Sequence, residues 1–228
     1  MIHSETLIDN GRGLHVAIPR AAELGYAFAP NVISELGCKL LVEEAESLEL
    51  QLDDRVDNPI NAGSGREVSQ KHEQYYAPFG DPSIPHASFL GRNIAKRVMM
   101  LRFRSGLEGL SRWLPNEVGY QLYRDDTHHL GKHKDRADDE MLGATITLSG
   151  SAWVGIYDTI GRPDDYKKTR EIDVFDAQPG DMMLLRATGL GSGERMIHEV
   201  SPPENAPRLI VNFRMRPNVL PAPNGEAA

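Results

Sequence analysis

The sequence predicts a mostly β protein with flanking helices: a double-stranded β-helix, or cupin-like jelly roll, with N-terminal helices packed outside it. Three observations predict this fold. From Val118 onward, short apolar runs follow one another with no helical pattern between them. The turn signals Ser149-Gly150, Gly161-Arg162-Pro163 and Pro179-Gly180-Asp181 separate those runs. Helical spacing of apolar residues is confined to the first half of the chain. One domain is expected over residues 1–228, with a helical part and substrate-loop region over 1–117, a jelly-roll core over 118–216 and a tail over 217–228.

Taken in order, residues 1–30 read as an entry segment with one strand, His15 to Ile18. Asn31 is placed to cap a helix whose apolar positions Ile33, Leu36, Leu40, Leu41 and Ala45 recur at helical spacing. Asp57 to Pro85 is rich in Gly, Pro and Asn and reads as a long loop or irregular hairpin, a type of segment that often serves as a lid. A second helical pattern covers Phe89 to Trp113 and closes at Leu114-Pro115-Asn116. Strands are expected at Val118–Tyr123, Thr145–Ser149, Ala152–Tyr157, Glu171–Phe175, Asp181–Arg186, Arg195–Val200 and Leu209–Met215.

A composition of 40% hydrophobic and 25% charged residues argues against wholesale disorder. The single cysteine, Cys38, excludes an internal disulfide framework and reads as a small buried apolar residue of a helix. The N-terminus lacks a basic segment followed by an apolar run, and no apolar stretch approaches the roughly 20 residues of a membrane span. A cytoplasmic location with no membrane partner is expected. A net charge of −8 disfavours nucleic acid as a partner, since such binding rests on Lys and Arg. Lys167, Lys168 and Arg170 make only a local basic group.

The chemistry concentrates in His133-Lys134-Asp135, answered by His198 and Arg208. Two imidazoles and one carboxylate leave part of a metal's coordination sphere open, which suits non-haem Fe(II) with room for a co-substrate and O2. On a strand, His133 and Asp135 would share one face. A guanidinium ten residues beyond the second histidine could hold a dicarboxylate by a bidentate ion pair. Other polar residues read more blandly. His128 and His129 are expected to be solvent-exposed, Asp138-Asp139-Glu140 to form a solvated turn rather than contact a cationic substrate, and Arg195 to make a surface ion pair rather than line a substrate pocket. Tyr75, Tyr76 and Phe79 could stack a planar substrate or equally anchor the loop. Trp153 is expected in the barrel core or lining its cavity, and Gly189 to Gly193 as a turn.

The run from Tyr123 to Asp135 resembles the Fe(II)/2-oxoglutarate oxygenase superfamily, and within it the AlkB-like members, which carry a similar Asn-x-Tyr-Arg-Asp-Gly run before Gly-x-His-x-Asp. Pro207-Arg208-Leu209-Ile210-Val211-Asn212-Phe213-Arg214 is similar to that family's Arg-x-Asn-x-Thr-x-Arg signature, and the likeness covers residues 118–157 and 177–216. The resemblance implies that His133, Asp135 and His198 bind Fe(II) and that Arg208 pairs with the distal carboxylate of 2-oxoglutarate. It further implies that Tyr123 donates a hydrogen bond to the same co-substrate, and that Arg214 lies near the metal-side carboxylate or Asp135. Gln121 stands where the family usually has Asn and is expected to keep its amide contact to the co-substrate, Ile210 replaces the first signature Asn, and Asn212 replaces the Thr. Ile210 cannot hydrogen-bond a carboxylate.

The expected activity is hydroxylation of an unactivated C–H bond of a small molecule, with 2-oxoglutarate and O2 consumed and succinate and CO2 formed. Related halogenases lack the carboxylate ligand, so Asp135 favours hydroxylation. The alternatives are an AlkB-type oxidative demethylase of nucleic acid or protein, and a non-catalytic jelly-roll binding module.

Overall fold

The computed structural model describes residues 7–8, 11–57, 68–101, 107–160, 168–191 and 193–217. The chain opens with α1 (Gly11–Leu24) and β1 (Tyr26–Ala29), then α2 (Glu35–Glu46), the hairpin β2 (Gln51–Asp57) and β3 (Val68–Pro78), and α3 (Pro85–Met100). A short 3-10 turn at Glu108–Arg112 leads to β4 (Glu117–Tyr123), β5 (His129–His133), β6 (Leu142–Thr159), β7 (Thr169–Ala177), β8 (Met182–Arg186), β9 (Ile197–Val200) and β10 (Asn205–Arg214).

These ten strands pair in the order β1-β8-β6-β10-β4-β3-β5-β9, with β9 returning onto β6, so the sheet closes into a jelly roll. β2 adds to β3, and β7 adds to β6. Closure requires β6 to serve two layers. Its first half pairs with β8 and β10, and its second half with β7 and β9. The change of direction falls at Gly150, whose φ of 64° an L side chain rarely adopts. A Cβ there would also sit 2.2 Å from the Asn205 carbonyl oxygen. The two strands expected at Thr145–Ser149 and Ala152–Tyr157 are therefore one strand bent at the predicted turn.

Side-chain alternation then sorts the sheet into two faces. Leu209, Val211 and Phe213 of β10, with Met182 and Leu184 of β8, face the helices and pack on Leu14, Ile18, Leu41, Leu90 and Ile94. Ile210, Met183 and Leu185 point the other way and join Tyr123, Val154, Ile156 and Val200 inside the barrel. The helices cover one face only.

Several local expectations need correction. His15–Ile18 is helical, because Leu14, Ala17, Ile18, Ala21 and Ala22 bury one helical face. Gly25, at φ 95°, ends that helix by donating to the Ala21 carbonyl. The cap of α2 is Ser34, whose Oγ accepts from the Gly37 N–H at 3.0 Å. Asn31 instead donates its backbone N–H to Asp181 at 2.9 Å. Of the long loop or irregular hairpin expected over Asp57–Pro85, the structure shows the hairpin alternative, with β3 over Val68–Pro78 paired to β2 and residues 58–67 outside the described residues. The second helix runs Pro85–Met100 rather than Phe89–Trp113. Gly161-Arg162-Pro163, Lys167 and the tail from residue 218 lie outside the described residues. Among the described residues no helix is long and apolar enough to cross a membrane.

Glu44 locks the helices to the sheet. Its buried carboxylate accepts the N–H groups of His86 and Ala87 at the start of α3, where no intrahelical partner exists, and the Tyr120 hydroxyl of β4 at 2.6 Å. Glu44→Ala would strand three donors and should lower unfolding free energy by about 3 kcal/mol in urea denaturation, whereas Glu44→Gln should lose less.

Candidate metal centre

β5 and β9 are neighbours in antiparallel register, with His133 directly opposite His198. Their rings stand 4.1 Å apart between centroids, tilted by 54°. Asp135 lies just past the end of β5 rather than on it, so the shared strand face expected for the His-x-Asp pair is not how the residues converge. They converge nonetheless: one ligand atom each from His133, Asp135 and His198 lie within 4.8 Å of one another. The His198 Nε2 is 3.9 Å from an Asp135 oxygen.

The imidazoles are oriented for ligation. His133 Nδ1 is 2.8 Å from the Gly131 carbonyl and His198 Nδ1 is 3.4 Å from that of Met196. A carbonyl only accepts, so each Nδ1 carries the proton and each Nε2 presents a lone pair to the interior. Burial, reinforced by His198, holds His133 well below the usual imidazole range and so keeps it neutral. Burial by itself would raise Asp135, but His198, Arg214, His133 and Arg195 outweigh it and keep the carboxylate ionised. Two imidazoles and one anionic oxygen make a donor set that fits a divalent first-row metal.

Asp135 is braced by two arginines. Arg214 Nη2 is 3.7 Å from its carboxylate, as expected from alternation along β10. Arg195 donates to its backbone carbonyl and so is not the surface ion pair expected of it. Behind Arg214, Arg216 bridges Glu117 at 2.6 Å and Asp139 at 2.7 Å. Asp139 is thus buried rather than part of a solvated turn.

The trio shares a cavity with Gln121, Tyr123, Arg208, Asn212 and Arg214. Arg208 is 2% exposed. Its Nη2 donates to Thr147 Oγ1 at 3.1 Å, while Nε and Nη1 have no hydrogen-bond partner among the described residues. Burial pushes its pKa down to about 10, so the group stays charged at neutral pH. A buried cation with two unmet donors is costly unless an anion completes it. A carboxylate reaching Arg208 would supply that anion. Tyr123 is fully buried beneath this guanidinium, 5.6 Å from ring centroid to Cζ. Its hydroxyl, kept protonated by burial, donates to Gln121 Oε1 at 3.4 Å. Gln121 in turn donates to the Tyr76 hydroxyl at 2.9 Å.

Other residues fall away from the centre. His128 is buried, accepting the Arg124 N–H at 2.8 Å to pin the loop before β5, while His129 contacts Ser69. Tyr75 and Phe79 pack on the helical core. Trp153 is 42% exposed on the outer face of β6 and bonds Glu204, not a cavity residue. Thr147 was not legible as a site residue, because only strand pairing brings it there.

No family model matches the chain, and no curated protein matches it by sequence. Solved structures do. A prolyl hydroxylase from Trichoplax adhaerens, in complex with a hypoxia-inducible-factor oxygen degradation domain peptide, superposes with TM-score 0.58 at 12% identity, over 91% of this chain and 90% of that one. A prolyl-4-hydroxylase from Pseudomonas putida gives 0.56 at 15% identity, over 89% and 98%. The non-heme, alpha-ketoglutarate-dependent epimerase SnoN from nogalamycin biosynthesis gives 0.57 at 14% identity, over 89% and 82%. The AlkB-like leaning of the sequence has no counterpart among these three. What they share with this chain is architecture: the chain has the fold of these three proteins, with a His-Asp-His group whose two histidines are buried.

Proposed function

We propose that this chain is an Fe(II)- and 2-oxoglutarate-dependent oxygenase that hydroxylates a C–H bond of a small molecule, releasing succinate and CO2. The observation that carries the reading is the Arg208 guanidinium, buried with two unmet donors in the same cavity as the three metal-type ligands. His133, Asp135 and His198 would hold the iron. The iron would supply the oxygen chemistry that couples decarboxylation of the co-substrate to oxidation of the substrate.

The chain's own groups bind, orient and exclude water. Arg208 takes the distal carboxylate, and Tyr123 offers its hydroxyl beside it. That hydroxyl would turn from Gln121 Oε1, 3.4 Å away, to donate to the carboxylate, while Arg214 and Arg195 hold Asp135 in place. Leu130, Val154, Met183 and Val200 give the cavity apolar walls that strengthen these charged contacts.

A second reading, favoured by the likeness to a prolyl hydroxylase solved with a peptide, takes a peptide or protein side chain as substrate. An AlkB-type role on nucleic acid is opposed by the net charge of −8. Succinate release with metabolite pools against proline-containing peptides decides between the first two. Release with neither, despite an Fe(II)-and-2-oxoglutarate absorption band under anaerobic titration, would favour a binding role.

His133→Ala and Asp135→Ala should each weaken Fe(II) or Mn(II) binding by more than about a hundred-fold in calorimetric titration, with the circular dichroism spectrum unchanged. Arg208→Ala should raise the 2-oxoglutarate concentration for half-maximal turnover by about 10- to 100-fold, with Arg208→Lys between it and the parent. Turnover of Arg208→Ala at ordinary 2-oxoglutarate concentrations would remove the carboxylate anchor from the account.

A further inference from the structure

Arg208 is not alone in the cavity in lacking partners. Asn212, on the same inner face of β10, is 3% exposed and its Nδ2 has no hydrogen-bond partner among the described residues. Strand register explains both halves of this. On one side Asn212 pairs with Thr145 of β6, whose Oγ1 donates to Asn212 Oδ1 at 2.6 Å. That bond fixes the amide so that its NH2 end is turned away from Thr145. On the other side it pairs with Gly119 of β4, which has no side chain to answer it. Gly119 cannot be replaced cheaply, since a Cβ there would meet the Tyr76 ring at 2.1 Å. A buried amide donor left open costs stability, so its retention points to a ligand.

From this geometry we infer that Asn212 is a co-substrate-holding residue, donating Nδ2–H to an oxygen in the metal-proximal half of the 2-oxoglutarate that Arg208 anchors by its distal end. The order of inward residues on β10 sets this polarity. Asn212 lies between Arg208 and Arg214, and Arg214 touches Asp135 of the metal group. Ile210, the inward residue between them, contributes only apolar wall. Asn212 thus provides the second polar attachment that Ile210 cannot. It rests on 2-oxoglutarate being the molecule Arg208 holds.

Direct binding tests it without turnover. 2-Oxoglutarate is titrated anaerobically into the Fe(II) protein and followed by the visible absorption band, and into the Mn(II) protein by calorimetry. Asn212→Ala should weaken binding about ten-fold or more, and Asn212→Asp further, by setting an anion against an anion. Thr145→Val removes the bond that orients the amide while keeping the side chain's shape, and should weaken binding several-fold with Asn212 intact. Metal affinity should stay near the parent in Thr145→Val, whose melting temperature should fall only by the loss of one buried hydrogen bond, and this variant serves if Asn212→Ala does not fold. Parental 2-oxoglutarate affinity in folded Asn212→Ala, or in Thr145→Val, would overturn the role of Asn212 while leaving the oxygenase reading standing. Absence of any 2-oxoglutarate binding by the parent protein, with metal bound, would overturn both.

Discussion

The bend of β6 at Gly150 is the constraint on which the rest of the molecule depends. One strand pairs with β8 and β10 before it and with β7 and β9 after it. That handover closes the sheet and sets β9, with His198, across the interior from β10, with Arg208 and Asn212. A side chain at position 150 would collide with backbone atoms of Asn205, Pro207 and Arg208, and these cannot move without moving β10 itself. The metal-type ligands and the anion-seeking guanidinium share a cavity because this strand changes layer where it does.

Alternation along β10 then divides labour within a single strand. The outward residues Leu209, Val211 and Phe213 fasten the sheet to the helices through the hydrophobic effect. The inward residues Arg208, Asn212 and Arg214 carry the polar chemistry. Stability and function are therefore coupled through register, since a slip of one residue would exchange the two sets. The apolar outward set resists such a slip, so the inward donors can remain open without the strand shifting to satisfy them. Glu44 extends the same anchoring to α3 by answering its first N–H groups.

Electrostatically the interior is arranged to be completed from outside. A neutral His133, a carboxylate kept ionised by its neighbours, and a charged but under-bonded Arg208 leave opposite demands in one cavity. A dication would answer one and a carboxylate the other. The cluster of Glu117, Asp139 and Arg216 sits behind Arg214 and balances charge there without entering the cavity.

The sequence by itself determined the fold class and most of the strands from Val118 onward, and it singled out His133, Asp135, His198 and Arg208, which the structure brings into one cavity, because period-two patterning and metal-ligand chemistry are local properties of residue type and spacing. It misread His15–Ile18, where four residues fit a strand and only the burial of Ala21 and Ala22 reveals a helix. It also placed Asp135 on a strand that ends at His133. Tertiary structure alone decided which polar groups were left without partners. Asn212 looks like any strand amide until Thr145 is found on one side and Gly119 on the other. Likewise, His128 and Asp139 read as surface residues until the loops around β5 bury them. Hydrogen-bond satisfaction is a property of neighbours distant in the chain, and register, not residue type, chooses those neighbours.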